Sequence, residues 1–161
     1  MDARTCVDLG ELLRERVAEH TPRAIDCGVD LGLLEGPSVP VSVNLSLLSV
    51  AMDNLIDNAL LYCSSGSHVD VSWGLHDGQA WWAVQDDGPG IAPEQQARVF
   101  ERFERGTAAQ DVAGSGLGLA IAREVAVKHG GTLRLEMPAS GRGCRFVMML
   151  AGHTTQAAPV A

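Results

Sequence analysis

Apolar residues recur with a helical period in two stretches of the first half of the chain. From Val7 to Arg23 and again from Ser46 to Tyr62, apolar side chains return every three to four residues between polar positions. This spacing places them on one face, as in a helix that packs on a core. Asp8 is suited to cap the first helix, and Pro22 is expected to end it.

Alternation of apolar and polar residues, which is typical of strands, lies between and after these helices. Residues 25–33 alternate loosely, and residues 39–43 form a short extended piece. Residues 69–73 and 80–85 predict a hairpin, because both alternate and an Asp-Gly turn at residues 77–78 separates them.

The last third of the chain predicts further elements between glycine-rich breaks. Residues 93–103 predict a short helix, residues 104–118 a long mobile loop, and residues 119–129 a helix that a Gly-Gly pair closes. Residues 132–137 and 144–150 predict a final hairpin. The expected fold is an α/β (α+β) two-layer sandwich, in which a mixed, mostly antiparallel sheet packs against three helices.

Length and charge narrow the class of protein. The chain has 161 residues, of which 46% are hydrophobic, and this fits one packed domain. We expect residues 1–152 to form that domain and residues 153–161 to be a flexible tail. The net charge of −8 argues against a nucleic-acid binder with a broad basic face. No stretch approaches the roughly 20 apolar residues that cross a bilayer, so we expect no direct membrane contact.

Cysteine and lysine usage excludes two kinds of site. The four scattered cysteines lack the C-x-x-C spacing of zinc or redox sites, and we expect reduced, mostly buried thiols in a cytosolic protein. Lys128 is the only lysine and follows a valine, whereas a P-loop needs Gly-Lys-Ser/Thr. A nucleotide would therefore be bound by another route.

Two asparagines lie one turn apart in the second predicted helix. Asn54 and Asn58 share one face, and Tyr62 extends the same row. Asparagine is a poor helix former, so two of them in mid-helix call for a reason. Simple solvent exposure is one reason, and use of the amide oxygen as a Mg²⁺ ligand is the other.

Two glycine-rich segments could approach a ligand closely. Residues 86–90, Asp-Asp-Gly-Pro-Gly, follow a strand, and an aspartate there could accept a hydrogen bond from the amine of adenine. The same letters also form plain turns. Residues 114–118, Gly-Ser-Gly-Leu-Gly, precede a helix whose free N–H groups attract phosphate, although the spacing is not a Rossmann fingerprint. Between them, Phe-Glu-Arg-Phe at residues 100–103 could simply be an amphipathic helix.

The order of these four elements resembles the N, G1, F and G2 boxes of the sensor histidine kinase catalytic domain. Residues 54–59, Asn-Leu-Ile-Asp-Asn-Ala, and residues 114–121 match that family almost letter for letter. The family belongs to the GHKL superfamily, together with gyrase, heat-shock chaperone and mismatch-repair ATPases. The resemblance extends from about Val7 to Leu150 and implies a domain that binds Mg-ATP.

The resemblance also implies a role for particular residues. Asn58 would coordinate Mg²⁺, Asn54 would support the phosphates or a metal-bound water, and Asp86 would accept a hydrogen bond from adenine N6, whereas Asp87 would have no direct role. The full set of residues expected to contact ATP is Asn54, Asn58, Tyr62, Asp86, Gly88, Gly90, Ile91, Arg102, Arg105, Gly114, Ser115, Gly116, Leu117, Gly118 and Leu119.

One position departs from the family pattern. Members usually have Lys or Arg three residues after the second asparagine, whereas Leu61 occupies that position in this chain. Arg102 and Arg105 are the candidates to meet the phosphate charge instead, and Arg105, just before the loop expected to cover the nucleotide, is the better placed. We therefore count Arg105 with Asn54 and Asn58 as a candidate catalytic residue.

The resemblance favours phosphoryl transfer to histidine. Hydrolytic members and anti-sigma-type serine kinases usually have a glutamate where Asn54 stands, and an amide cannot act as a base. The family's phosphoacceptor histidine is followed by an acidic residue and lies on a dimerising helical hairpin. His20 is followed by threonine, and His68, His76, His129 and His153 are expected at the surface. The phosphoacceptor would lie on a separate dimerisation domain, so the chain alone should not autophosphorylate.

The implied partners are that dimerisation domain and a response regulator, in two-component signalling. The implied location is cytoplasmic, within a longer sensor anchored in the bacterial inner membrane. Two alternatives remain: an anti-sigma-type serine kinase, and a nucleotide-sensing or protein-docking module, which Leu61 alone favours.

Overall fold

The computed structural model describes residues 4–88, 117–138 and 142–150. For Tyr62 and Leu117, which lie within these ranges, it describes the backbone but not the side chain. Within these residues, three helices and seven strands alternate along the chain. The helices are α1 (Leu9–Cys27), α2 (Leu45–Tyr62) and α3 (Leu117–Lys128), and the strands are β1 (Thr5–Asp8), β2 (Asp30–Leu34), β3 (Pro40–Val43), β4 (His68–His76), β5 (Gln79–Asp86), β6 (Thr132–Glu136) and β7 (Arg145–Leu150).

Five of the strands form one mixed sheet in the order β2-β4-β5-β7-β6. β2 pairs with β4 in parallel, and the other three pairings are antiparallel. β1 and β3 form a separate antiparallel ribbon. These pairings confirm the predicted fold class, including both hairpins. The ribbon is an addition, because the sequence pattern assigned Val7 to the first helix.

The core lies between the helices and one face of the sheet. Leu13 of α1, Met52 of α2, Trp82 of β5 and Met148 of β7 are fully buried. Because alternate residues of a strand face the same side, the buried positions of β4 and β5 also pair across the sheet, as Trp73 does with Trp82. The apolar periodicity of the sequence therefore marks the face of each helix that meets the sheet.

The first helix starts as predicted but does not end where the sequence pattern placed its end. A side-chain oxygen of Asp8 accepts the Glu11 backbone N–H at 3.1 Å, so Asp8 is the N-cap. The helix then continues through Pro22 to Cys27. Both Pro22 and Ala18, whose carbonyl loses its usual donor, are exposed, so water can satisfy that carbonyl.

The glycine after α1 ends that helix. Gly28 adopts a left-handed conformation with φ 73°, and its N–H and that of Val29 bond back to the last turn. The prediction of a strand over residues 25–33 is therefore wrong in its first half. The strand β2 begins only at Asp30, because Gly28 sets the turn and Pro22 does not.

The cysteine prediction is also corrected in part. All four cysteines are free, but Cys6 and Cys27 are exposed, Cys63 is half-buried and only Cys144 is buried. Cys6 lies on the small β1–β3 ribbon and Cys27 at the end of α1, and both are accessible to solvent. The predicted helix over residues 93–103, the loop as far as residue 116 and the tail lie outside the described residues.

Candidate active site

Helix α2 carries the two asparagines between a buried face and a half-exposed one. Its core side is formed by Met52, Leu55 and Ile56, all essentially buried. Asn54 and Asn58 are half-buried beside this face, one turn apart. The Nδ2 atom of Asn54 is inaccessible to solvent and has no hydrogen-bond partner in the described part of the chain. A buried amide donor without a partner is unfavourable, and an acceptor supplied by a ligand would satisfy it.

The first turn of α3 lies against Asn54. A Cβ atom added to Gly118 would lie 3.4 Å from both Cβ and Cγ of Asn54, so the backbone of α3 approaches the asparagine at van der Waals distance. The first N–H groups of a helix have no partner within the helix and carry the positive end of its dipole. Asn54 therefore lies beside a helix terminus that is suited to an anion.

Asp86 ends β5 and is held by hydrogen bonds on both sides. Its Oδ1 accepts the Gly88 N–H at 2.9 Å, and its own N–H donates to the Cys144 carbonyl at 2.9 Å. Burial raises the pKa of Asp86, and the Gly88 N–H opposes that rise. The carboxylate is thus fixed in place, but its hydrogen bonds only partly offset the cost of burying its charge. It is therefore suited to accept a further hydrogen bond from a ligand.

Gly143 allows the turn before β7 to reach this corner. It adopts φ 82°, and any Cβ there would collide with the carbonyl oxygen of Asp86. The backbone of β7 therefore supports Asp86 directly from the neighbouring strand. Sequence reasoning missed this support, because residues 140–143 indicated only an ordinary hairpin turn.

Cys63, the residue after α2, forms another wall of the corner. A Cβ atom on Gly88 would lie 3.4 Å from the Cys63 Sγ. Burial, with the nearby charge of Asp86, raises the pKa of Cys63 to about 11, so the thiol remains neutral. No motif identified Cys63 beforehand. Its contact shows that the end of α2 and the end of β5 meet.

The neighbouring Asp87 is used by the protein itself. Its carboxylate accepts the His68 backbone N–H at 2.8 Å and lies 3.2 Å from the His68 Nδ1. These bonds lower the pKa of Asp87. Asp87 therefore links the end of β5 to the start of β4.

The other flank of α2 is joined to α1 by charges. Both carboxylate oxygens of Asp53 accept from Arg16 at 2.9 and 3.0 Å, and His20 Nε2 lies 2.9 Å from Asp53. His20 Nδ1 is 3.3 Å from Asp57, which also pairs with Arg23. Asp53 and Asp57 immediately precede the two asparagines, so these pairs restrain rotation of α2. Only the helical spacing of the charges could have indicated these pairs from the sequence.

The structure brings only part of the predicted set together. The described members lie on three elements that meet, since α2 contacts both α3 and β5: they are Asn54, Asn58, Asp86, Gly88, Gly118 and Leu119, with the backbone of Tyr62 and Leu117. The remaining predicted residues lie outside the described ranges: Gly90, Ile91, Arg102, Arg105, Gly114, Ser115 and Gly116.

No group of three His, Cys, Asp or Glu side chains in residues 4–88, 117–138 and 142–150 could hold a metal ion. In the same ranges, no helix is long and apolar enough to span a membrane.

Comparison with known families identifies one match. Residues 44–153 match the family described as histidine kinase-, DNA gyrase B- and HSP90-like ATPases. That range begins at the residue before α2 and covers both α2 and α3 with the strands between and after them.

Named relatives are sensor kinases. The chain is 38% identical over 148 residues to the sensor-like histidine kinase SenX3 of Mycobacterium tuberculosis, which covers 91% of this chain and 36% of that protein. The chain thus spans about a third of the length of the curated relative it matches. The comparisons lend no support to a serine kinase or a docking module.

Solved structures give the same result. The ATP-binding domain of PrrB from Mycobacterium tuberculosis has a TM-score of 0.74 and 30% identity, covering 94% of this chain and 98% of that one. Full-length ShkA, solved in complex with AMPPNP, has a TM-score of 0.84 and 29% identity, covering 99% of this chain and 33% of that one. Both superpose on the arrangement of helices and sheet described above.

Proposed function

Because this chain belongs to the family of histidine kinase-, DNA gyrase B- and HSP90-like ATPases, we propose that it binds Mg-ATP where α2, β5 and α3 meet and donates the γ-phosphoryl group to a histidine on a separate domain. The proposal is that of a sensor histidine kinase catalytic domain. It agrees with the names of the relatives and with the AMPPNP in the ShkA structure.

The observation that carries the proposal is the unpaired amide of Asn54. Its buried Nδ2 lacks an acceptor among the described residues, and the Asn54 side chain lies against Gly118 in the first turn of α3, where positive partial charge accumulates. A phosphate oxygen placed there would accept from Asn54 and from the first N–H groups of α3. No neutral ligand would use both features as well.

Asp86 is proposed to read the base. The buried carboxylate retains unused acceptor capacity after its bond from Gly88, and the exocyclic amine of adenine is a donor. Guanine presents a carbonyl at the same place on its ring, so the same carboxylate would repel it. Adenine selectivity would therefore come from one side chain, with Gly88 and Cys63 shaping the space around it.

Asn58, the second asparagine of α2, is suited to bind Mg²⁺. The Asn58 amide lies one turn beyond Asn54 on the same helix and is half-buried, and its oxygen is of the type that Mg²⁺ accepts as a ligand. Mg²⁺ keeps several waters and takes phosphate oxygens as partners, and so needs few protein ligands. Bound with ATP, the ion would offset the charge of the triphosphate. The contribution of Asn58 would be to fix its position.

The residues of the chain would act by positioning and charge compensation, which suffices for phosphoryl transfer. Asp86 would hold the base, and Asn54 and the start of α3 would hold the phosphates. No described residue of this site is placed as a general base, since Asn54 and Asn58 are amides. The attacking nitrogen would come from the separate domain.

Leu61 leaves phosphate charge to be met by other side chains. We propose Arg105, with Arg102 as a second candidate, both outside the described residues. Arg105→Ala should weaken ATP binding or turnover, and unchanged kinetics in that variant would remove Arg105 from the site. The partners would be a dimerisation domain bearing the phosphoacceptor histidine and a response regulator, and the parent would be a cytoplasm-facing sensor.

The test is a calorimetric titration of a non-hydrolysable ATP analogue into the chain, with and without Mg²⁺. We expect binding that strengthens with Mg²⁺ and is absent for the matching GTP analogue. A histidine-bearing helical hairpin domain added with radiolabelled ATP should then become labelled on histidine. A folded chain that binds no ATP analogue would refute the proposal, and binding without any transfer would refute its kinase part.

A further inference from the structure

His129 is buried, although the sequence pattern placed it at the surface. It follows the last residue of α3 and is only 6% exposed. Its Nδ1 lies 2.8 Å from the Val125 carbonyl, and its Nε2 accepts the Asn44 backbone N–H at 3.0 Å. Both ring nitrogens are therefore used, which requires the neutral ring with the proton on Nδ1. The prediction failed because the sequence does not reveal that two backbone groups, the Val125 carbonyl and the Asn44 N–H, bond to the ring.

The bond from Asn44 joins two helices. Asn44 is the N-cap of α2, where its side chain accepts the Leu47 N–H at 3.0 Å. Its own N–H is left for a partner outside the helix, and His129 supplies the acceptor. The end of α3 is thereby attached to the beginning of α2.

A second contact lies at the opposite end of the same pair. Gly118, in the first turn of α3, lies against Asn54. The two contacts are ten residues apart along α2 and eleven along α3, or about 15 Å at 1.5 Å per residue. A displacement of one helix along the other at His129 would therefore appear at Gly118, beside the amide proposed to bind phosphate.

The end of α3 is itself fixed to the sheet. Gly130 adopts φ 72°, and the N–H groups of Gly130 and Gly131 bond back to Val127 and Ala126. A Cβ on Gly131 would collide with the carbonyl of Met149 in β7, so the backbone lies directly on the sheet. His129 therefore links the start of α2 to the end of α3, which is itself held against the sheet.

We propose that His129 is a positioning residue for nucleotide binding, which sets the register of α3 against α2 so that the N-terminus of α3 meets the phosphates beside Asn54. This inference rests on the proposed function. It predicts that loss of the Nε2 acceptor weakens contacts to the phosphates but leaves contacts to the base, because Asp86 is held by β7 and Gly88.

The test compares three substitutions of the same residue. His129→Gln retains an acceptor near the Nε2 position, whereas His129→Asn is too short to reach Asn44 and His129→Leu offers no acceptor. The affinities for an ATP analogue and for adenosine are measured on each, with His76→Leu, on the exposed β4–β5 hairpin, as the matched surface control.

We expect the Asn and Leu variants to bind the ATP analogue about tenfold more weakly, the free-energy scale of one buried hydrogen bond. Adenosine binding should be unchanged, and the Gln variant should recover most of the loss. If a variant lost the same affinity for both ligands, His129 would have a purely structural role and the inference would be overturned. A less stable protein with an unchanged ratio of ATP-analogue affinity to adenosine affinity would show the same. If His129→Leu does not fold, the Gln and Asn pair carries the comparison.

A second readout separates this inference from the proposed function. In the nucleotide-free, isotope-labelled chain, the amide resonance of Gly118 should move in His129→Asn but not in His129→Gln. An unmoved Gly118 resonance would overturn the register coupling whether or not ATP binds. Failure of the wild-type chain to bind ATP would instead refute the proposed function alone.

Discussion

The two sides of the candidate site differ in how far the protein satisfies its own polar groups. At the β5 corner, Asp86 is bonded to Gly88 and to the Cys144 carbonyl, and Asp87 is bonded to His68. At the junction of α2 and α3, the buried Nδ2 of Asn54 has no partner among the described residues. We call the β5 corner the complete side, because its groups are held in position before any ligand arrives, although Asp86 can still accept a further hydrogen bond. We call the α2–α3 junction the incomplete side, because it holds a buried donor without a described partner.

This difference indicates what each side contributes. A preformed corner recognises the base at little cost of reorganisation, because its groups are already held in place. The α2–α3 junction has an unsatisfied donor that a phosphate oxygen can complete, so nucleotide binding should stabilise this side most. The complete side would determine which base is bound, and the incomplete side would be the one that nucleotide binding stabilises.

The largest effect should follow from breaking the complete side. Gly143→Ala introduces a Cβ against the Asp86 carbonyl at a positive φ, so we expect the free energy of unfolding to fall by at least about 3 kcal/mol. Nucleotide binding should be lost with it. Chemical denaturation monitored by tryptophan fluorescence measures the change.

The matched control is Gly78→Ala, which has a similar positive φ of 79° but open space around the new atom. It should cost only about 1–2 kcal/mol, the conformational part alone. Equal losses in the two variants would contradict a specific contact between Gly143 and the Asp86 corner.

A smaller effect is expected from changing only the charge of the base acceptor. Asp86→Asn retains an oxygen for the Gly88 N–H but replaces the other by a donor, which opposes the amine of adenine. ATP-analogue affinity should fall roughly 10- to 100-fold, the range for a hydrogen bond to a charged group. Stability should change little, because the backbone hydrogen bonds from Gly88 and Cys144 partly offset the cost of burying the charge.

Asp87→Asn serves as the control for Asp86→Asn in the same calorimetric titrations. Asp87 contacts His68 and should not contact the base, so affinity should stay within about twofold of wild type. If Asp87→Asn lost as much affinity as Asp86→Asn, the assignment of the base acceptor would be wrong.

On the incomplete side, a substitution should lower the affinity for the ATP analogue with little effect on the stability of the protein. Asn54→Ala removes a buried donor that has no described partner, so the free energy of unfolding should fall by less than about 0.5 kcal/mol or rise. ATP-analogue affinity should fall about tenfold. Denaturation and calorimetry on the same preparation measure both quantities.

Asp8→Ala should show the reverse pattern. It removes the cap of α1, so stability should fall by about 1 kcal/mol while affinity is unchanged. A large loss of stability in Asn54→Ala would mean that Asn54 is a structural residue whose amide is already satisfied.

The smallest effect is a dependence of affinity on pH. Because burial raises the pKa of Asp86, protonation should begin to weaken ATP binding at a higher pH than for an ordinary aspartate near 3.8. The same shift means that the contribution of Asp86 to stability is present below 3.8 and lost as pH rises through the raised value. Calorimetry across the acidic range should show the weakening in wild type, and its persistence in Asp86→Asn would contradict the assignment.

The sequence sufficed for the fold class and for the asparagine helix. Apolar spacing in α2 and the alternation in β4 and β5 match their observed bounds closely, because each buries one continuous face. The end of α1 was wrong, since an exposed proline can be tolerated within a helix while Gly28 ends it. Local pattern does not distinguish these two cases.

Long-range contacts of the site were beyond local pattern as well. Cys63 at Gly88, Gly143 at Asp86 and His129 at Asn44 each join residues that are 20 or more positions apart. They depend on the order of strands in the sheet and on the antiparallel packing of α2 and α3. Single residues there carry no signal until those elements are placed.

The most direct test of the difference between the two sides is amide hydrogen exchange, followed residue by residue with and without a non-hydrolysable ATP analogue and Mg²⁺. The Gly88 amide, already bonded to Asp86, should be protected in both states. The amides of Gly118 and Leu119 should gain protection only when the nucleotide is bound. An unprotected Gly88 amide in the free chain, or no gain at Gly118 and Leu119 with nucleotide bound, would contradict the account.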